Sequence, residues 1–77
     1  MKFHVEYTDT FGGEANYSWV RRETIEVPGD AKQSLVIKRA KASIGITGVR
    51  GKVVDIGAGY EFRPYKYCTV MFVTAEY

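Results

Sequence analysis

The stretch that most constrains this chain runs from Asp30 to Ile44, D-A-K-Q-S-L-V-I-K-R-A-K-A-S-I. Val36, Ile37, Ala40 and Ile44 recur at helical spacing and form a single apolar stripe. Lys32, Lys38, Arg39 and Lys41 fill the rest of the circumference, so Lys38 and Lys41 are expected in solvent. Asp30 stands before the stripe and Gln33 follows three residues on. That is the pattern of a capping box: the carboxylate accepts from free amides of the first turn, and the glutamine returns a bond to the cap. Gly45 is expected to end the helix, because a residue without Cβ enters the left-handed region at no cost. Everything before and after reads as strand, so the sequence predicts a small sheet with one helix laid on it.

The strands follow from alternation. In Lys2–Thr8, Phe3, Val5 and Tyr7 point one way and His4, Glu6 and Thr8 the other. Asp9–Gly13 reads as a hairpin loop, since paired glycines permit the positive φ such a turn needs. Phe11, near its tip, is expected to fold back onto the sheet. Glu14–Val27 is long against a usual strand of about five or six residues. Ala15, Tyr17, Trp19, Ile25 and Val27 share one parity that Arg21 and Glu23 interrupt, which predicts a bulge near Val20–Arg22. Pro28-Gly29 stops this strand. Val49–Ile56 is the third, Gly57-Ala58-Gly59 a tight turn, and Tyr60–Arg63 the fourth, halted by Pro64, which has no amide for a ladder. Tyr65–Thr74 is the fifth, with Cys68, Val70 and Phe72 on one face and Tyr67, Thr69, Met71 and Val73 on the other. The expected architecture is α+β: residues 1–77 as one domain, a single helix packed on an antiparallel, curved sheet of about five strands in the order β-β-α-β-β-β. One helix covers only part of such a sheet. The second face is expected to be partly open, curled over itself, or covered by another molecule.

Composition removes several function classes. A chain of 77 residues buries only about 60% of its unfolded surface, so its core is modest. With 11 basic and 9 acidic side chains the net charge is +2, too mild to demand a polyanionic partner and opposed to mimicry of DNA by an acidic surface. Cys68 is the sole cysteine, so no internal disulfide is available. Met1–Tyr7 has no signal-peptide character, and no apolar stretch approaches the roughly 20 residues of a membrane span. A reducing cytoplasm is the expected setting, with no membrane partner. His4 and Cys68 together would make half a metal site, whereas zinc needs three or four ligands. His4 therefore reads as an exposed strand residue and Cys68 as a small buried apolar one. Gly57-Ala58-Gly59 lacks the third glycine and following helix of a dinucleotide fingerprint. Gly45-Ile46-Thr47-Gly48 matches the GXXG of KH domains, but a strand-like segment follows it. No catalytic residue, cofactor or metal is expected, and the chain does not read as an enzyme.

Six tyrosines and one tryptophan exceed what one small core needs, and aromatic residues and arginine are enriched at interface cores. Tyr17, Trp19, Arg21 and Arg22 lie in one strand. Arg50-Gly51-Lys52 and Arg63-Pro64-Tyr65-Lys66-Tyr67 again mix cations with rings, a mixture that also suits single-stranded nucleic acid. The candidate partner-binding residues are Tyr17, Trp19, Arg21, Arg22, Arg50, Lys52, Tyr65 and Lys66. As exposed charges, Arg21 and Arg22 are expected to contribute little to stability.

The opening F-H-V-E-Y-T-D-T-F-G-G and the segment Y-S-W-V-R-R-E-T-I-E-V-P, before an Ala/Lys-rich helix, resemble short uncharacterised proteins of tailed phages and prophages. In size and β-β-α-β layout the chain is similar to several small anti-CRISPR proteins. Those bind the effector complex of a bacterial immune system and block its access to target DNA. The resemblance implies a non-enzymatic, stoichiometric inhibitor in the cytoplasm of a bacterial host, with a host protein or ribonucleoprotein complex as partner. It carries no residue assignments. Two other readings rest on the residues themselves: a small nucleic-acid-binding module using the basic and aromatic surface, and a structural or assembly protein, monomer or homodimer, that pairs through an open sheet face.

Overall fold

A computed structural model describes residues 1–76. Strands β1 (Lys2–Phe11) and β2 (Glu14–Glu26) precede helix α1 (Gln33–Ser43). Strands β3 (Gly51–Asp55), β4 (Gly59–Pro64) and β5 (Thr69–Ala75) follow it. All neighbours are antiparallel, in the spatial order β2-β1-β5-β4-β3. The α+β class and the β-β-α-β-β-β order are those the sequence predicts. The first and last strands sit side by side at the centre, and β2 and β3 form the two edges.

The alternation of β1 explains the core. Phe3, Val5 and Tyr7 face the helix, opposite Ala75, Val73 and Met71 of β5. Met71 and Val73 in turn stand opposite Phe62 and Tyr60 of β4. Val36, Ile37, Ala40 and Ile44 of the predicted stripe are all buried against this set, as are Ile25 and Val27. Burying side chains of this size contributes about 1.5–3 kcal/mol each.

The helix starts later than predicted, and the capping box between Asp30 and Gln33 does not form. Pro28–Ala31 folds into a turn, with the Ala31 amide on the Pro28 carbonyl, and this leaves Asp30 short of the first helical residue. Lys32 takes the N-cap position with no side-chain bond, and its carbonyl receives the amides of Leu35 and Val36. The C-terminus behaves as predicted. Gly45 has φ +79°, its amide bonds Ala42, and the Ile46 amide bonds Lys41, the two-bond closure of a Schellman motif. Lys41 does not stay in solvent. Its ammonium donates to the Val49 carbonyl at 2.8 Å and lies 4.5 Å from the centre of the Phe62 ring, which fixes the α1–β3 connection to the sheet.

Three further expectations are corrected. The irregularity in the β1–β2 ladder falls between Thr8 and Thr10 of β1, opposite Asn16–Trp19 of β2, and not at Val20–Arg22. Tyr17, with φ +55°, marks it; Arg21 and Glu23 keep regular register opposite Tyr7 and Val5. Tyr65–Cys68 is not strand but the bend between β4 and β5, so Cys68 is exposed rather than buried. Phe11 does not fold back; it ends β1 beside the Gly12-Gly13 turn and is 80% exposed.

The face away from the helix is partly curled over itself. Thr8 and Val70, opposite each other on β1 and β5, are fully buried there. Arg63 of β4 reaches across β5 to the Gly13 carbonyl at 2.6 Å, drawing the β1–β2 turn over this end. Gly59 is required by close approach: a Cβ would lie 1.8 Å from the Val73 carbonyl oxygen, and any side chain there would prise β4 from β5.

Candidate binding surface at the basic end of the sheet

One cross-strand row divides the sheet: Arg21, Tyr7, Met71, Phe62 and Val53, on β2, β1, β5, β4 and β3 in turn. Because the strands alternate in direction, everything beyond this row lies at one end of the molecule. That end holds the start of β2 with Tyr17 and Trp19, and the start of β3 with Arg50 and Lys52. The β4–β5 bend brings Tyr65, Lys66 and Tyr67 to it, and α1 ends there. The opposite end carries both described chain termini, Glu26, Asp30, Asp55 and Glu76. The topology thus gathers six of the eight candidate residues beyond the row, with Arg21 on it. Arg22 lies just outside, opposite Glu6.

Within that end the candidates separate into two groups with different roles. On the β2 side, side chains are already engaged. The Arg21 guanidinium donates to the Ile44 carbonyl at 3.0 Å, satisfying a helix terminus whose dipole attracts a cation. Trp19 packs edge-on against Tyr7, with ring centres 5.3 Å apart, and is 42% exposed. Positive φ at Tyr17 swings its phenol to the other face, where it donates to Glu6 Oε1 at 2.5 Å. The Arg22 Nε donates to Glu6 Oε2 at 3.0 Å. The bond to the Glu6 carboxylate raises the Tyr17 pKa, since ionising the phenol would lose a donor and set two anions together.

Asp9 organises the irregular segment between these groups. Its carboxylate accepts from the Ser18 hydroxyl, the Ser18 amide and the Asn16 side chain. These bonds, the Ser18 hydroxyl foremost, pull its pKa down to about 2. Thr8 completes the arrangement by donating to the Trp19 carbonyl at 2.7 Å. No sequence motif announced Asp9, because its partners are seven and nine residues away across a turn.

On the β3–β4 side, the side chains of Arg50, Lys52, Tyr65, Lys66 and Tyr67 make no hydrogen bond or ion pair among the described residues. Arg50, Tyr65, Lys66 and Tyr67 line one groove with Thr47, Gly48 and Val49. The Tyr65 amide bonds the Arg50 carbonyl at 3.1 Å, so the two basic–aromatic stretches of the sequence are tied together by backbone. Tyr65 is 73% exposed and Tyr67 59%. Lys52 stands opposite Arg63 on the face away from the helix. Among the described residues the ion pairs are His4–Glu76, Arg22–Glu6 and Arg63–Glu61; none involves Arg50, Lys52 or Lys66. Sequence reasoning left Tyr67 out of the candidate set, although the R-P-Y-K-Y run contained the signal. A second groove, lined by Ile37, Lys38, Lys41 and Val53, adjoins the first across Thr47 and Gly48.

His4 pairs with Thr74 and Cys68 lies beside Thr10, at opposite ends of β1. No three of His, Cys, Asp and Glu in the described residues come close enough to hold a metal ion. Among the described residues no helix is long and apolar enough to cross a membrane. Comparison with family models, with curated proteins and with solved structures gives no match.

Proposed function

We propose that this is a non-enzymatic binding protein that inhibits a bacterial ribonucleoprotein, a CRISPR effector complex, by occupying a surface that target DNA must reach. The observation that carries this reading is the groove at the basic end: Arg50 and Lys66, without acidic partners among the described residues, interleaved with exposed Tyr65 and Tyr67. Such a surface fits a channel lined by phosphates or carboxylates, because arginine engages either bidentately and rings contribute sequence-independent stacking. The likeness in size and β-β-α-β layout to small anti-CRISPR proteins is what suggests this kind of complex. A domain of radius of gyration 11.6 Å acts here as a plug rather than a catalyst.

The test is binding to purified effector complexes with and without their target DNA, at rising salt, beside a free single-stranded oligonucleotide. The proposal expects capture of the DNA-free complex, loss of capture once target DNA is loaded, and at least tenfold weaker binding for Tyr65→Ala with Lys66→Ala, as for interface hot spots of about 1.4 kcal/mol or more. The same groove favours a second reading, a single-stranded nucleic-acid module. Tight, steeply salt-dependent binding of the oligonucleotide, with no binding to any effector complex, would establish that reading instead.

A further inference from the structure

Strand β2 is an edge of the sheet with one long side unpaired, and its charge order is self-complementary. Three backbone bonds settle which of its groups face outward. The Val27 amide bonds the Met1 carbonyl, the Glu76 amide the Lys2 carbonyl, and the Thr10 amide the Cys68 carbonyl. Odd residues of β1 therefore turn their backbone toward β2 and even residues toward β5, as an antiparallel ladder alternates. Arg21, Glu23 and Ile25 stand opposite Tyr7, Val5 and Phe3, so their amides and carbonyls point inward. Those of Val20, Arg22, Thr24 and Glu26 point out. The Glu26 carbonyl is covered by the Arg39 guanidinium at 3.0 Å. Val20, Arg22 and Thr24 remain as a regular ladder with no partner among the described residues.

An exposed ladder of this kind is a template for another strand unless something guards it. The charges on β2 disfavour registers centred on Arg21 or Glu23, and on the helix side they suit one centred on Arg22. We propose that two copies of this chain pair through β2, antiparallel and centred on Arg22, extending the sheet across a two-fold axis. In that register Val20 of each copy meets Thr24 of the other and Arg22 meets Arg22, so the outward groups of these three residues are satisfied. On the helix side Arg21 meets the second copy's Glu23, twice by symmetry, and Trp19 meets Ile25. Glu23 is exposed and has no ion pair among the described residues. Arg21 spends one nitrogen on Ile44 and keeps the others. Centring on Arg21 would set it against its own copy, and centring on Glu23 would set two carboxylates together; like charges directly opposite are destabilising. Arg22 does meet its own copy on the other face, but there each guanidinium is paired with Glu6. The interface is isologous. It leaves the groove of Arg50, Tyr65 and Lys66 free on each copy, facing opposite ways, so this inference does not rest on the proposed function.

The experiment is sedimentation equilibrium of the whole chain from about 10 µM to about 1 mM, the range of small interfaces, with hydrogen exchange at both limits. The expected result is a mass rising from 8.7 kDa toward twice that value, with protection gained at the Val20, Arg22 and Thr24 amides. Arg21→Glu and Glu23→Arg should each weaken self-association about tenfold, since each places like charges opposite at two symmetric positions. Mixed together, the two variants should associate as well as the parent. In the mixed pair the introduced carboxylate faces the introduced guanidinium at one contact, and the native pairing of Arg21 with Glu23 is kept at the other. A parent that stays monomeric throughout overturns the proposal. So does a mixture that associates no better than its components, or protection confined to β3.

Discussion

Arg21 on the edge strand β2 and Ile44 at the end of α1 are joined by a single hydrogen bond, guanidinium to carbonyl, at 3.0 Å. The bond ties the helix terminus to the sheet edge, and it changes what the arginine is for. As an exposed charge Arg21 would be dispensable. As the donor to an orphan carbonyl at the negative end of a helix it contributes to stability.

Arg21→Ala is therefore expected to cost about 1 kcal/mol, the usual size of a charge-assisted bond at a helix end. For a domain of this length that is about 4–8 °C in melting temperature. Arg22→Ala, which breaks only an exposed pair with Glu6, should cost no more than about 0.5 kcal/mol. Thermal melts of the two single variants check this; equal midpoints would show that the Ile44 bond contributes nothing.

Ile37→Ala removes a side chain that is 6% exposed and packed among Val36, Ala40 and the sheet. The expected loss is about 2–5 kcal/mol, including the cavity it leaves. Urea titration of parent and variant measures it. A midpoint unchanged by the substitution would contradict the packing described for α1.

The Asp9 carboxylate gives a pH signature. Its folded pKa lies at about 2, below the ordinary 3.8, so the folded state favours the ionised form. That stabilisation is fully present above pH 3.8 and is lost as pH falls through about 2. Asp9→Ala should thus be less stable than the parent at neutral pH, and the gap between them should close between pH 3.8 and about 2. Urea midpoints at a series of pH values read the gap directly. A gap that widens on acidification would reverse the sign.

Cys68, expected from the sequence to be buried, lies on the exposed β4–β5 bend. Native protein should react with a thiol-specific reagent as fast as unfolded protein within about tenfold, as an accessible thiol does. Cys68→Ser should leave the melting temperature unchanged. Protection that yields only on unfolding would place the thiol in the core.

What was legible in the sequence follows a physical division. The apolar stripe of Val36, Ile37, Ala40 and Ile44 and the alternation of Phe3, Val5 and Tyr7 are local periodicities, and both hold. Gly45 is a local requirement too, and it holds. The Asp30 cap failed because Pro28 begins a turn that competes for the same residues. Tyr65–Cys68 has strand propensity, but the chain must reverse between β4 and β5, and topology overrode preference. The meeting of Arg50 with Tyr65 could not be seen, because strand order is not written in any one segment. Asp9, Thr8 and the Arg63–Gly13 bond depend on pairing across strands for the same reason.

The position of β5 between β1 and β4 also bears on how the molecule folds. The β1–β2 and β3–β4 hairpins are each local, but their strands are joined in the sheet through β5, and contacts such as Tyr7 to Thr69 close a separation of 62 residues. Chain closure over that span must precede most of the stabilisation, which slows folding relative to a helical bundle of equal size. Neither hairpin holds a core by itself, so losing the central strand loses the whole. Unfolding is accordingly expected to be all-or-none, as for most single domains of this size, and a defect in β5 is expected to act on the stability of the whole sheet.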